Sequence, residues 1–273
     1  MGFKGEAHWV ARPDGARILT RVSGDGAQTV VFAHGYGFDM GEWDQVAERL
    51  PDVRKIGMNL RGHGGSTIGS DGIMPNVAAA DYRAVLEAHD VQDAVLVGHS
   101  TGGFLAMRFL LEHPEVVQQR LRGCLLIGTF AGDVSRKNLQ NRIQIPLIQT
   151  GLLTAMVRIP IFGRAFIRSL SGDGFDPAWV KPALDVFLAN DHRALVPLLQ
   201  ALVDQSDYHR LSQIDLPCRI VVGEKDHTTP SFHADDLHAG IQGSTLRRIP
   251  GAGHLLNWEA PDILVEELRA LMV

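Results

Sequence analysis

The sequence predicts an α/β chain: a doubly wound, mostly parallel sheet carrying one helical insertion. Three observations predict it. Short apolar runs recur at 29–33, 53–58, 94–97, 124–127 and 220–222, and such runs suit parallel strands buried on both faces. Helical patterns lie between them, the alternation of a doubly wound sheet. From 132 to 212 this rhythm stops: helix-like pieces broken by Pro146, Pro160, Gly163, Pro177, Pro182 and Pro197 carry no strand pattern.

The elements follow in order. Residues 7–12 and 16–22 flank Pro13-Asp14-Gly15, a turn signal that makes them a hairpin. The run 29–33 leads into a glycine-rich loop, His34-Gly35-Tyr36-Gly37. Helical spacing then covers 42–50 and, after the strand 53–58, residues 77–88. The strand 94–97 runs into Gly98-His99-Ser100-Thr101-Gly102 and the helix 103–112, with Pro114 just past its end. The strand 220–222 ends in the acidic turn Gly223-Glu224-Lys225-Asp226. A helix at 231–239, a strand at 245–249, the turn Gly251-Ala252-Gly253-His254 and a helix at 261–272 close the chain.

Composition bounds the function. With 273 residues, 45% hydrophobic and 21% charged, the chain suits one large α/β domain with a lid. The core is expected at 1–131 and 213–273 and the cap at 132–212. A net charge of −5 without a long basic run gives no nucleic-acid footprint. The opening Met1 to Glu6 has no apolar leader core, and Glu6 stands where lipidation of Gly2 wants Ser or Thr. The most apolar stretch, 143–170, is broken by Gln149, Arg158, Pro160 and Arg164, so no integral membrane association is expected, and the expected location is cytoplasmic. Cys124 and Cys218 are expected to be core residues without a disulfide. There is no H-E-x-x-H, paired CxxC or P-loop, so no metal and no cofactor is expected.

The chemistry concentrates at chain turns. G-x-S-x-G between a strand and a helix is a nucleophile elbow: its glycines let strand and helix approach while Ser100 takes a strained backbone. The N–H of Thr101, opening the helix, points where an oxyanion forms. The loop after 29–33 offers a second N–H, that of Tyr36, while His34 suits bracing that loop. Asp226 is placed to orient a histidine, with Glu224 as a substitute and Asp133, after the strand 124–127, as the rival acid. His254, on a glycine-rich turn, is the candidate base.

The order Ser100, Asp226, His254 is that of α/β-hydrolases. With His34-Gly35-Tyr36-Gly37, Asn59-Leu60-Arg61-Gly62-His63-Gly64-Gly65-Ser66 and His254 through Glu259, the chain resembles an α/β-hydrolase-fold serine hydrolase over essentially its whole length. It departs from the usual family form at Asn59, where an aspartate is common and braces loops. The Gly98 to Gly103 stretch also resembles arylesterases with side perhydrolase activity and monoacylglycerol-lipase-like esterases. The resemblance implies a small-molecule ester as substrate. The apolar composition of the inserted segment from Ile143 to Phe166 suits an apolar acyl pocket, so a small to medium apolar acyl part is expected. Perhydrolysis, lactone opening and carbon–carbon hydrolysis use the same residues and stay open. So does a slow-turnover signalling hydrolase, because His34 through Trp43 is similar to the matching loop of small signalling hydrolases.

Overall fold

The computed structural model describes residues 3–273. The reading of Met1 and Gly2 as neither leader nor lipidation signal lies outside the described residues. Eight strands form one sheet: β1 (Glu6–Ala11), β2 (Arg17–Ser23), β3 (Thr29–Ala33), β4 (Arg54–Met58), β5 (Ala94–His99), β6 (Leu121–Ile127), β7 (Cys218–Gly223) and β8 (Thr245–Ile249). Their spatial order is β1-β2-β4-β3-β5-β6-β7-β8. β1 and β2 pair antiparallel as a hairpin, β2 pairs antiparallel with β4, and β3 to β8 run parallel.

Alternate strand residues feed two cores. Val31 and Leu96 belong to the core packed under α2 (Pro75–Ala88) and α3 (Thr101–Glu112). Val30, Phe32, Val95 and Val97 belong to the opposite core, which also contains Val46 of α1 (Asp44–Glu48). Period-2 alternation therefore explains why the strands read as wholly apolar: both faces are covered. β3 lies between β4 and β5, so the chain reverses its direction of travel across the sheet there. The C-terminal ends of β3 and β5 meet at this switch point, where open parallel sheets place ligands.

Two local expectations need correction. The helix expected at 42–50 is a 3-10 turn, Met40–Trp43, followed by the short α1; Asp39 caps the turn by accepting from Gly41 N. Pro114 does more than end α3. It occupies the first turn of a new helix, α4 (Pro114–Arg120), where a missing N–H costs nothing. β6 accordingly begins at Leu121, three residues before the apolar run at 124.

Between β6 and β7 the chain runs through α5 (Leu139–Gln149), α6 (Leu152–Val157), α7 (Pro160–Leu170), α8 (Val180–Ala189) and α9 (Val196–Asp204). It adds no strand to the sheet there; a single bridge, Gly132 to Ser206, closes the segment at its base. After β7 come α10 (Phe232–Gly240), α11 (Leu256–Glu259) and α12 (Pro261–Leu271). Cys124 and Cys218 are register partners on β6 and β7, buried and free. Among the described residues no helix is long and apolar enough to cross a membrane.

Candidate active site

Ser100 stands between β5 and α3 with φ 51° and ψ −118°, a strained backbone for a residue with a side chain. The fold imposes it. A Cβ at Gly98 would meet Gly103 Cα at 2.5 Å, and one at Gly102 would meet His34 O at 2.5 Å. Only glycines let strand, elbow and helix approach this closely.

Asp226 and His254 are brought together from the ends of β7 and β8. His254 Nδ1 lies 2.8 Å from Asp226 Oδ2. Asp226 also accepts from Thr228 N at 2.8 Å, Thr229 N at 2.7 Å and Thr229 Oγ1 at 2.7 Å. Burial works to raise its pKa, but the charge and hydrogen bond of His254, with the Thr229 donors, outweigh burial and hold it below the ordinary carboxylate value. An ionised Asp226 fixes the proton of His254 on Nδ1 and leaves Nε2 free to act as a base. The rival Asp133 instead accepts from Ser135 Oγ at 2.8 Å, and Glu224 is exposed.

Ser100 and His254 line one cleft together with Tyr36 and Thr101. Among the described residues no hydrogen bond joins Ser100 Oγ to His254 Nε2, a looseness common before substrate binds. The backbone N–H groups of Tyr36 and Thr101 likewise donate to nothing among the described residues. Both are therefore free to donate to a group in the cleft. His34 donates from Nδ1 to Gly35 O at 2.8 Å and accepts at Nε2 from Leu60 N at 2.9 Å, so it braces the Tyr36 loop. Asn59 accepts from Met40 N at 2.7 Å and donates to Gly64 O at 2.5 Å, bonding two loops at once; an aspartate could not make the second bond.

The cleft has a volume of about 90 Å³ and is partly open to solvent. Its far wall comes from the helical segment: Ile145 and Ile148 on α5, Phe166 and Leu170 on α7, Phe187 on α8. Asn141, Gln144 and Thr228 supply polar edges.

Three further residues hold the site, and the sequence reading gave none of them a role. Thr229 fixes Asp226. Glu259 accepts from Gly172 N and Gly253 N, both at 2.8 Å, and from Leu255 N at 3.1 Å, fastening the His254 turn to the end of the α7 segment. Glu42, 2% exposed, places Oε1 3.1 Å from His99 Nδ1 and 3.2 Å from Gly35 N. His99 Nε2 in turn lies 3.0 Å from the carbonyl oxygen of His254. The His99 ring thus lies between a carboxyl oxygen and a carbonyl oxygen. Burial opposes charge on the ring, but Glu42 outweighs burial and holds the His99 pKa above its ordinary value, while burial pushes the Glu42 carboxyl up from its own. Thr229 was legible as a local turn, because Asp side chains accept from N–H groups two and three residues on. Glu42 had no such signal, since its partner is 57 residues away.

Residues 30–267 match the alpha/beta hydrolase family. The chain belongs to the alpha/beta hydrolase family. It is 28% identical over 90% of its length to a non-heme chloroperoxidase from Burkholderia pyrrocinia, covering 92% of that protein. In structure it resembles an esterase from Exiguobacterium antarcticum, with TM-score 0.84 and 22% identity over 100% of this chain and 99% of the other. It also resembles Est816, an N-acyl homoserine lactone degrading enzyme, with TM-score 0.78 and 25% identity over 95% and 98% of the two chains. Membership supports a hydrolytic enzyme. Among the described residues no group of three or more His, Cys, Asp and Glu is disposed to hold a metal ion.

Proposed function

We propose that the protein is a serine ester hydrolase acting on small to medium apolar acyl esters. One observation carries the reading: a strained serine, an Asp-oriented histidine and two unengaged backbone N–H groups share one apolar-walled cleft. In the proposed reaction His254 Nε2 takes the Ser100 proton as Oγ attacks the ester carbonyl carbon. The N–H groups of Tyr36 and Thr101 hold the tetrahedral oxyanion, and Asp226 stabilises the imidazolium. His254 then protonates the departing alkoxide, leaving an acyl-Ser100. Water, deprotonated by the same Nε2, attacks that ester; the bond from the acyl carbon to Ser100 Oγ breaks, His254 returns the proton to Oγ, and the acid leaves.

The segment 132–212 acts as a cap in this reading, with Ile145, Ile148, Phe166 and Leu170 forming an acyl wall. Each methylene buried against that wall contributes about 0.8 kcal/mol, or roughly a fourfold gain per carbon until the space fills. A nitrophenyl ester series from acetate to octanoate tests this. The specificity constant rises through butyrate toward octanoate if the cap forms the acyl site. A clear preference for acetate excludes it. Steady turnover supports an esterase, whereas a single burst without further turnover supports the slow signalling alternative. Running a lactone, and adding hydrogen peroxide as acyl acceptor, separates the remaining uses of the same residues.

A further inference from the structure

The outer face of α5, α6 and α7 has a composition unlike the rest of the chain. Large apolar side chains project from it: Leu139 and Ile143 on α5, 73% and 55% exposed, Leu152 and Met156 on α6, and Ile161 and Phe162 on α7, 71% and 48% exposed. The helices pack on one another in sequence, α5 on α6 and α6 on α7. Each buries its opposite side, through Ile145 and Ile148, Leu153 and Val157, and Ile167 and Leu170 respectively. The outward residues therefore do not serve the core. Exposed apolar side chains gathered on adjacent helices mark an interaction surface.

Charge says what covers it. Between Asp133 and Asp173 the chain holds six basic residues and no acidic one, although its net charge is −5. Arg136 pairs with Asp236. The other five, Lys137, Arg142, Arg158, Arg164 and Arg168, are exposed and have no carboxylate partner among the described residues. On α7 the spacing sets Ile161, Arg164 and Arg168 along one stripe. Apolar anchors interleaved with unpaired cations form an interfacial surface, in which side chains enter the acyl boundary and cations meet anionic headgroups. The acidic remainder of the molecule is repelled by the same headgroups, which orients the protein.

We propose that the outer face of α5–α7 docks reversibly on bilayers containing anionic phospholipid. The inner faces of α5 and α7 line the cleft, so docking sets the cleft wall beside the lipid phase. The proposal does not rest on the ester reading, because it is tested by binding rather than turnover.

The test is co-sedimentation of the full chain with vesicles of phosphatidylcholine alone, and of phosphatidylcholine with about one part in three phosphatidylglycerol. The expected result is binding to the second only, weakened by added salt. Arg164→Ser with Arg168→Ser should lower the partition coefficient about fivefold per charge. Ile161→Glu with Phe162→Glu should abolish sedimentation while leaving hydrolysis of a soluble short ester unchanged. Leu139→Glu provides a second site should that pair disturb folding. Ser100→Ala protein should sediment like wild type. Equal recovery with both vesicles, or wild-type sedimentation of the Glu variants, overturns the proposal. So does a dimer in solution that Phe162→Glu converts to monomer, because a second copy would then cover the face.

Discussion

Two regions face each other across Ser100 and are built from different forces. On the sheet side, the loops after β3, β5, β7 and β8 are joined by buried polar bonds: Glu42 to His99, His99 to the His254 carbonyl, Asp226 to His254 and Thr229. On the helical side, the cleft wall is chiefly apolar, with Ile145, Ile148, Phe166 and Leu170. Directional bonds fix atoms to within tenths of an ångström, which bond-making chemistry requires. Apolar contacts tolerate changes of shape, which suits a surface that selects substrates by size. Under the proposed function, rate belongs to the sheet side and selectivity to the helical side, and the variants that follow break or sharpen that division.

The largest effect belongs to Ser100. Ser100→Ala should lower turnover by about a thousandfold or more with little change in melting temperature, because alanine still occupies the φ 51° position. A folded variant with near-wild-type rates removes the sheet side from the chemistry. Next is the acid. Asp226→Asn replaces an oriented, ionised partner and should cost about a hundred- to ten-thousandfold in kcat. Asp133→Asn, whose carboxylate only meets Ser135, should stay within about twofold. The reverse pattern would move the acid to the strand before the helical segment.

The two regions also differ in how far the sequence disclosed them. The strand ends carry glycine and turn residues whose spacing is dictated by close backbone approach. Gly98, Gly102 and Gly253 are each within 2.5 Å of a backbone atom at the position of a missing Cβ, so the elbow and the base turn were readable as motifs. β3, β5 and β7 were readable from apolar runs buried on both faces, whereas β8, with only Ile249 buried, was readable as a short strand ahead of the His254 turn. The helical segment offered only composition. Its helix faces are decided by tertiary packing, and Pro146 sits inside α5, where local propensity would end a helix. Glu42 was hidden for the same reason: its local sequence reads as the start of a helix, and only the folded chain brings it to His99.

The helical side should show its influence in selectivity alone. Phe166→Ala enlarges the acyl wall and removes burial for long chains. The specificity constant for octanoate should fall about tenfold, with acetate changed less than about twofold. An equal loss on both substrates would show Phe166 supporting the chemistry, and would dissolve the division between the two regions.

The smallest and most diagnostic effect belongs to Glu42→Gln. Gly35 N and His99 Nδ1 both meet Glu42 Oε1, so glutamine with its oxygen at that place preserves the shape and still accepts from both, but carries no charge. What is lost is charge assistance, worth about 1 kcal/mol, so kcat should fall about fivefold with KM nearly unchanged. The pH signature separates this from a general loss of packing. His99 has its folded-state pKa raised above 6.5, because Glu42 outweighs burial. A raised pKa contributes stability that is fully present below the unfolded value and lost as pH rises through the folded value. The other titratable groups facing His99 are His34, His254 and Asp226, and they are the same in both proteins. Glu42 titrates only in wild type, and its burial-raised pKa also contributes stability that is lost as pH rises. The melting temperature of wild type should therefore exceed that of Glu42→Gln most on the acid side of the ordinary histidine value, and the gap should close as pH rises past the His99 pKa. A gap that stays constant with pH would mean that Glu42 and His99 are not an ion pair, and that the loops are held by shape alone.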